Sequence, residues 1–440
     1  MPPPHKSLNA QVWSLSWPMI LANLSIPLFG LVDTAVLGHL PDSRYLSAVA
    51  IGSSLLSLYY WAFGFLRMGT TGASAQSRQE DRSALLLKAL TVGMLIGTAL
   101  WLAGPLLRSF GPTLMNASPS LQPLASDYLY WRLYGAPAVL CNYAIIGWLL
   151  GQQQARWPLL IAVCGNSANI VLDLLLVVGL NMNSTGAALA STASEYLALG
   201  VGLFAVREPL RQALADGLNS TLKRGPALAQ FARSNAQLFV RTAALLFSLS
   251  FFTAQGASMG ATTLAANAIL MQLVMAAAYG MDGFAHAAEA LAGKAFADKD
   301  RERFIAVCRC CGQWGVLSAI AASAALLAGK PLILSSMTSL PEVRSQADAF
   351  YGWLVLLPLV SAACYSYDGI FIGSLQTKAL QYCMLVSVFA VYLPIWHITQ
   401  AWGNHGLWLA FLSLNVSRGI SLAITFHWLF HPKRWKKRLR

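Results

Sequence analysis

Charged side chains are scarce in this sequence. Asp, Glu, Lys and Arg make up only 11% of the 440 residues, whereas 56% are hydrophobic and the mean hydropathy is +0.55. Because soluble domains carry about 25% charged residues, this scarcity excludes a soluble globular protein. Apolar runs of about 20 residues, the length that crosses a bilayer, recur along the whole chain. The sequence therefore predicts an integral membrane protein without a sizeable aqueous domain.

Cysteine is also scarce, and its distribution is uninformative. The seven cysteines lie mostly within apolar runs, so they predict neither a disulfide framework nor a metal site. We also expect no binding of nucleic acid, although the net charge is +13 and residues 433–438 are strongly basic. Lys and Arg fall in alternate loops, which is the cytoplasmic bias of membrane topology.

Hydropathy predicts about twelve membrane spans. We expect the first apolar run to be retained, since it lacks the features of a cleaved signal peptide. The excess of Lys and Arg in alternate loops predicts that both termini are cytoplasmic. The predicted spans are 11–38, 45–75, 84–108, 126–151, 157–180, 186–207, 233–256, 262–291, 306–328, 346–373, 379–402 and 406–430.

The two halves of the chain resemble each other. Residues 46–51 match residues 264–269, and the motif Gly147-x-x-x-Gly151 matches Gly369-x-x-x-Gly373. Because each half has six spans, both halves insert in the same direction, which predicts a pseudo-twofold axis along the membrane normal. We predict an all-α membrane protein of two six-helix lobes. Its parts are an N-lobe (1–207), a cytoplasmic linker (208–232), a C-lobe (233–430) and a basic cytoplasmic tail (431–440).

A carboxylate in the first span and another in the fifth dominate the candidate site. From the helical rise of 1.5 Å per residue, Asp33 and Asp173 lie at a similar depth below the outer ends of their spans, where they could share a proton or jointly hold sodium. Asn169 lies one turn before Asp173, and Pro27 provides a hinge in the first span. The alternative is that Asp33 is a structural aspartate bonded to a neighbouring helix. Further candidates for the cavity are Asn166, Ser191, Thr192, Tyr134, Asn142 and Met19.

The C-lobe lacks these two acids at the equivalent positions but carries others. Gln255 and Leu393 align with Asp33 and Asp173, so we expect ion coupling in the N-lobe. The secondary candidates are the stripe Asp282, His286 and Glu289 on the eighth span, and Asp368 on the tenth. The stripe is either a proton relay or cytoplasmic gate, or a set of side chains that reach the inner interface. Asp368 is a candidate for a second ion or substrate contact.

Seven motifs spread over nearly the whole chain resemble one transporter family. They are PLFGLVDTAVLGHL (27–40), FLRMGTTG (65–72), GWLLG (147–151), NIVLD (169–173), GAALA (186–190), MDGFA (281–285) and DGIFIG (368–373). The sequence is similar to multidrug and toxic compound extrusion transporters, of the branch named after the DNA-damage-inducible protein F.

The resemblance implies a twelve-helix, two-lobe antiporter of the bacterial inner membrane that exports organic, often cationic, compounds. It implies that Asp33 binds the coupling ion, that Asn169 and Asp173 belong to the same site, and that the first span bends at Pro27. Another branch holds sodium between a carboxylate of the seventh span and one of the tenth. Asp368 resembles the latter, but the seventh span here has no acid.

We therefore expect a cation-coupled antiporter that works by alternating access, driven by protons rather than sodium. We expect no cofactor, no metal other than a coupling sodium at Asp33, Asn169 and Asp173, and function as a monomer that contacts organic substrates and lipid. The nearest alternative is an ion-coupled flippase for a lipid-linked precursor. An intramembrane enzyme is a remote alternative, because His286 and Glu289 lack a nucleophile or a two-histidine zinc spacing.

Overall fold

Helices form every regular element in the described part of the chain. The computed structural model describes residues 7–38, 42–115, 118–216 and 228–438, although the side chains of residues 26–35, 38, 43, 114, 228 and 436–438 lie outside the description. Among the described residues, ten helices are long and apolar enough to cross a membrane, and a bent helix pair makes an eleventh. The 31-residue first helix is also long enough. The predicted all-α membrane fold is confirmed.

The described residues of the first half of the chain form ten α-helices. They are α1 (Leu8–Gly38), α2 (Ser43–Ala62), α3 (Phe65–Gln76), α4 (Arg82–Leu102), α5 (Gly104–Leu114), α6 (Gln122–Leu133), α7 (Ala136–Gly151), α8 (Arg156–Asp173), α9 (Asn183–Ala205) and α10 (Arg207–Ala215). A 3₁₀ turn, Gln79–Asp81, precedes α4, and a π-helix, Leu174–Gly179, follows α8.

From residue 228 to residue 438, the described chain forms eight α-helices. They are α11 (Leu228–Ser258), α12 (Ala261–Ala297), α13 (Arg301–Met337), α14 (Pro341–Gly373), α15 (Thr377–Val386), α16 (Leu393–Thr399), α17 (Asn404–Leu429) and α18 (Pro432–Arg438). A π-helix, Ser387–Tyr392, joins α15 to α16, and a 3₁₀ turn, Gln400–Trp402, follows α16.

Several predicted spans are broken rather than continuous. The fourth span consists of α6 and α7, which meet at an angle of 48°. Gly135 and Pro137 explain this break, because glycine has no preference for the helix and proline cannot donate the helical hydrogen bond. Gly104 and Pro105 divide the third span in the same way, between α4 and α5.

The chain packs into two compact units, and one boundary between them along the chain falls within α1. One unit is Leu21–Ala232, and the other joins the described residues up to Ile20 with the chain from Arg233 onwards. The sequence pattern places this first stretch in the N-lobe, whereas its described residues group with the chain from Arg233 onwards. Trp13, for example, packs edge-on against Phe284 and Trp314 at ring-centre distances of 5.5 and 5.0 Å. We keep the names N-lobe and C-lobe for these two contact-defined units.

Glycines permit the closest helix contacts in both units. A Cβ on Gly147 of α7 would lie 2.5 Å from the carbonyl oxygen of Arg67, and one on Gly369 of α14 would lie 2.3 Å from that of Ala285. Small residues let membrane helices approach closely, which compensates for the absence of a hydrophobic driving force between them. The repeated Gly-x-x-x-Gly motif thus holds α7 against α3 and α14 against α12.

Candidate functional site

The polar face of α8 is the centre of the candidate site. Asn169 and Asp173 are buried, with 8% and 2% of their surface exposed. Asn166 Nδ2 donates to Ser25 Oγ of α1 at 3.0 Å, and Asn169 Nδ2 donates to Ser191 Oγ of α9 at 3.3 Å. Three of the sequence-predicted candidates, Asn166, Asn169 and Ser191, thereby take part in hydrogen bonds that join α8 to α1 and to α9 within the N-lobe.

The helix changes its geometry directly after Asp173. Asp173 is the last residue of α8, and the π-helix Leu174–Gly179 begins at the next residue. Its wider turns end in a bond from Leu180 N to Leu175 O at 2.9 Å. Single-turn π-segments occur frequently at functional sites. Sequence reasoning missed this segment, because a run of Leu and Val fits an ordinary helix equally well.

Two of the central predictions lie outside the described side chains. Asp33 and Pro27 belong to α1, but the positions of their side chains are not among those described. Their roles therefore remain predictions.

The other N-lobe candidates lie on α7, on α9 and in the break between α6 and α7. Thr192 Oγ1 donates to the carbonyl oxygen of Trp131 at 3.0 Å, and Asn142 Nδ2 donates to the carbonyl oxygen of Glu195 at 3.3 Å. The Tyr134 hydroxyl is 2.9 Å from the Tyr130 hydroxyl. Met19 is buried and belongs to the C-lobe unit.

A partly buried ion pair in the N-lobe was not among the predicted site residues. Arg132 Nη1 donates to Glu195 Oε1 at 2.7 Å, and the two side chains are 12% and 18% exposed. A buried charge is costly in hydrocarbon unless it has a partner. The signal in the sequence was the presence of one cation in the fourth span and one anion in the sixth, but their spacing does not predict a contact.

In the C-lobe, Asp368 contacts two arginines. Arg418 Nη2 donates to Asp368 Oδ2 at 2.7 Å, and Arg241 Nη2 donates to the same oxygen. All three side chains are at most 10% exposed. A cation that binds at Asp368 would therefore have to compete with two guanidinium groups.

The predicted stripe on the eighth span lies on α12. His286 Nδ1 is 3.3 Å from Glu289 Oε1, and both residues are buried, whereas Asp282 is partly exposed. Across the described ranges, no group of three or more His, Cys, Asp or Glu side chains is arranged to hold a metal ion.

The family model MatE matches this chain twice, over two stretches of equal length, residues 18–175 and 239–396. The chain therefore belongs to the MatE family, the multidrug and toxic compound extrusion transporters. The double match agrees with the internal repeat, and the predicted family is confirmed.

Named relatives support this assignment. The chain is 37% identical to DNA damage-inducible protein F of Escherichia coli (strain K12), over 96% of this chain and 93% of that protein. It is 23% identical to multidrug resistance protein MdtK of Edwardsiella ictaluri (strain 93-146), over 96% of both chains. The solved outward-facing structure of a multidrug resistance MATE family transporter superposes with a TM-score of 0.85 at 17% identity, covering 98% of this chain and 97% of that one. The chain is thus a multi-pass membrane transporter of this family.

Proposed function

We propose that this protein is a cation-coupled antiporter that exports organic, often cationic, drugs or toxic compounds by alternating access. Asp33 and Asp173 are the ion-coupling carboxylates, and Asn169 completes their site. The coupling ion is a proton rather than sodium, because two carboxylates at one level share a proton readily. The names of the relatives, which include a multidrug resistance protein, support a drug as cargo.

The hydrogen bond between Asn166 and Ser25 carries this proposal. It aligns α8 with α1 at one level. Asp173 lies seven residues beyond Asn166, and Asp33 lies eight residues beyond Ser25. At 1.5 Å per residue, these steps are about 10 and about 12 Å. Since odd-numbered spans run in the same direction through the membrane, the two aspartates come to a closely similar depth.

The transport cycle follows from competition for these carboxylates. When Asp33 and Asp173 are ionised, the cavity binds a cationic substrate. A proton or sodium ion from outside then neutralises the site, which weakens substrate binding and lets α1 bend near Pro27. One elementary charge that moves through 100 mV is worth about 2.3 kcal/mol, so the membrane potential adds to the ion gradient wherever more positive charge enters than leaves.

The setting of this cycle is the bacterial inner membrane. We infer that both termini are cytoplasmic from the distribution of Lys and Arg between the loops. Each chain contains both lobes of the repeat, so a monomer is sufficient for the cycle. The substrates reach the cavity from the cytoplasm or the lipid.

Dye efflux from proteoliposomes tests this proposal. The purified protein is reconstituted and a pH gradient or a sodium gradient is imposed in turn. We expect the gradient to drive efflux of a cationic dye by the wild type, and we expect Asp33→Asn and Asp173→Asn to insert normally but to lose the gradient-driven rate. Asp127→Asn is the matched control, because Asp127 is an exposed acid of the same lobe.

Full gradient-driven efflux by either aspartate variant would refute the coupling role. A wild-type protein that moves a fluorescent lipid between leaflets in response to the gradient, but leaves the dye inside, would instead identify the flippase alternative.

A further inference from the structure

One turn of α9 bonds to both sides of the break in the fourth span. On the α6 side, Thr192 Oγ1 donates to the carbonyl oxygen of Trp131 at 3.0 Å. At the break itself, the Tyr196 hydroxyl donates to the carbonyl oxygen of Tyr134 at 2.9 Å. These are carbonyl groups near the end of a helix, where intrahelical partners are missing.

Glu195, on the same turn, contacts both helices of the broken span. Its side-chain Oε1 accepts a hydrogen bond from Arg132 Nη1 of α6 at 2.7 Å. Its backbone carbonyl oxygen accepts one from Asn142 Nδ2 of α7 at 3.3 Å. The carboxylate also lies near the start of α7, where a negative charge is favourable for the helix dipole.

The carboxylate of Glu195 lies in the space that glycine leaves at the break. An ideal Cβ on Gly135 would lie only 1.9 Å from Glu195 Oε2 and 3.2 Å from the carbonyl oxygen of Arg132. This position of the carboxylate therefore requires glycine at residue 135. Oε2 is buried and has no hydrogen-bond partner within the described residues, so the Arg132 contact alone orients the group.

The same face of α9 reaches the candidate ion site. Ser191 precedes Glu195 by one helical turn and therefore lies on the same face. Ser191 Oγ accepts the hydrogen bond from Asn169, which in turn lies one turn before Asp173. A displacement of this part of α9 would change the position of the Ser191 hydroxyl relative to Asn169.

We propose that Glu195 is a positioning residue of the N-lobe cavity. With Arg132, it fixes α9 against the broken fourth span and so holds Ser191 where it orients Asn169 for the coupling ion. This inference rests on the proposed function, because it takes Asn169 and Asp173 as the ion site. The other role for such a pair is simple mutual neutralisation of two buried charges, which would leave the ion site unaffected when both charges are removed.

Two variants separate these roles. Gly135→Ala keeps both charges but displaces the Glu195 carboxylate, because of the 1.9 Å contact. The double variant Arg132→Leu with Glu195→Leu removes both charges and leaves no unpaired one. The matched controls are Gly200→Ala, since a Cβ at this α9 glycine meets nothing within 4 Å, and Glu208→Gln, which changes an exposed acid of the same lobe.

The measurement is the initial rate of dye efflux from proteoliposomes as the concentration of the driving ion is varied. Loss of a group that orients a ligand typically weakens ion binding by 10- to 100-fold. We therefore expect Gly135→Ala and the double variant to raise the half-saturating ion concentration about tenfold, with the maximal rate within about twofold of wild type. Both controls should match the wild type. Arg132→Lys keeps the ion pair, so its half-saturating ion concentration should lie close to that of the wild type.

A wild-type half-saturating concentration in a folded Gly135→Ala or double variant would overturn the inference, as would a loss confined to the maximal rate. Folding is checked by size-exclusion chromatography before reconstitution. Asp173→Asn is measured in parallel. If it retains wild-type ion dependence, the proposed function fails, whereas loss of coupling in Asp173→Asn beside normal ion dependence in the double variant refutes only the role of Glu195.

Discussion

Individual glycines and charges determine how closely the helices of this transporter pack. The Gly-x-x-x-Gly motifs were visible in the sequence, and the structure gives their physical reason. A Cβ on Gly373 of α14 would lie 2.3 Å from the carbonyl oxygen of Glu289, and one on Gly151 of α7 would lie 2.6 Å from that of Thr71. The same two pairs of spans are therefore held together by backbone contact in both lobes.

Gly369→Ala should destabilise the C-lobe. The added methyl would lie 2.3 Å from the carbonyl oxygen of Ala285, so α14 has to move away from α12. Overpacking of this kind costs about 1–3 kcal/mol, and we expect a lower unfolding temperature in detergent. Gly352→Ala on the same helix is the control, because its Cβ would meet nothing within 4 Å. Equal unfolding temperatures for the two variants would contradict the close approach.

Asp368→Asn should also destabilise the C-lobe, since it leaves Arg241 and Arg418 buried without their shared carboxylate. Removal of one partner of a buried ion pair costs about 3–5 kcal/mol. Asp348→Asn breaks the more exposed pair with Lys330 and should cost at most about 1 kcal/mol. Scanning fluorimetry of the purified variants measures both. An Asp368→Asn variant with wild-type stability and altered ion dependence would show that Asp368 binds an ion instead.

At the scale of helices, composition predicted the spans but not their interruptions. The twelve spans follow from apolar runs of sufficient length, and the common face of Asn166, Asn169 and Asp173 follows from helical spacing. The π-helix after Asp173 and the contact between Arg132 and Glu195 do not follow, because both depend on how separate helices pack. Sequence spacing carries no information about a contact between residues that are 63 positions apart.

The division of α1 between the two units was equally invisible in the sequence. Its hydropathy is continuous, yet its first part packs in the C-lobe unit. Asn9 Oδ1 accepts from Cys310 Sγ and from Trp314 Nε1 of α13, each at 3.1 Å. These polar contacts join residues about 300 positions apart, which periodicity does not reveal.

The variant Asn9→Cys should form a disulfide with Cys310. The present contact places the two side chains close together, and a disulfide needs Cβ atoms about 3.5–4.5 Å apart. Mild oxidation in membranes followed by mass spectrometry of peptides detects the linkage. Asn9→Cys combined with Cys310→Ser is the control. The absence of the linked peptide under conditions that oxidise exposed thiols would contradict the packing of α1 on α13.

At the scale of the whole molecule, the two lobes repeat the same helix order but carry different chemistry. In the N-lobe, the face of α8 that carries Asp173 bonds through its amides to hydroxyl groups, Asn166 to Ser25 of α1 and Asn169 to Ser191 of α9. In the C-lobe, Asp368 is occupied by two arginines, which remain charged at all physiological pH values. This asymmetry favours ion exchange in the N-lobe and a fixed ionic contact in the C-lobe. The lack of acids opposite Asp33 and Asp173 in the second half predicts the same location for ion coupling, which stays a prediction.

The central claim is that substrate and coupling ion compete for the N-lobe carboxylates. The most direct measurement is the affinity of the purified protein for a cationic dye, taken at a series of pH values and a series of sodium concentrations. The account predicts that wild-type affinity falls as the proton or sodium concentration rises, because the site is then neutralised. It also predicts a flat response in Asp173→Asn. A wild-type affinity that is independent of both ions would contradict the account.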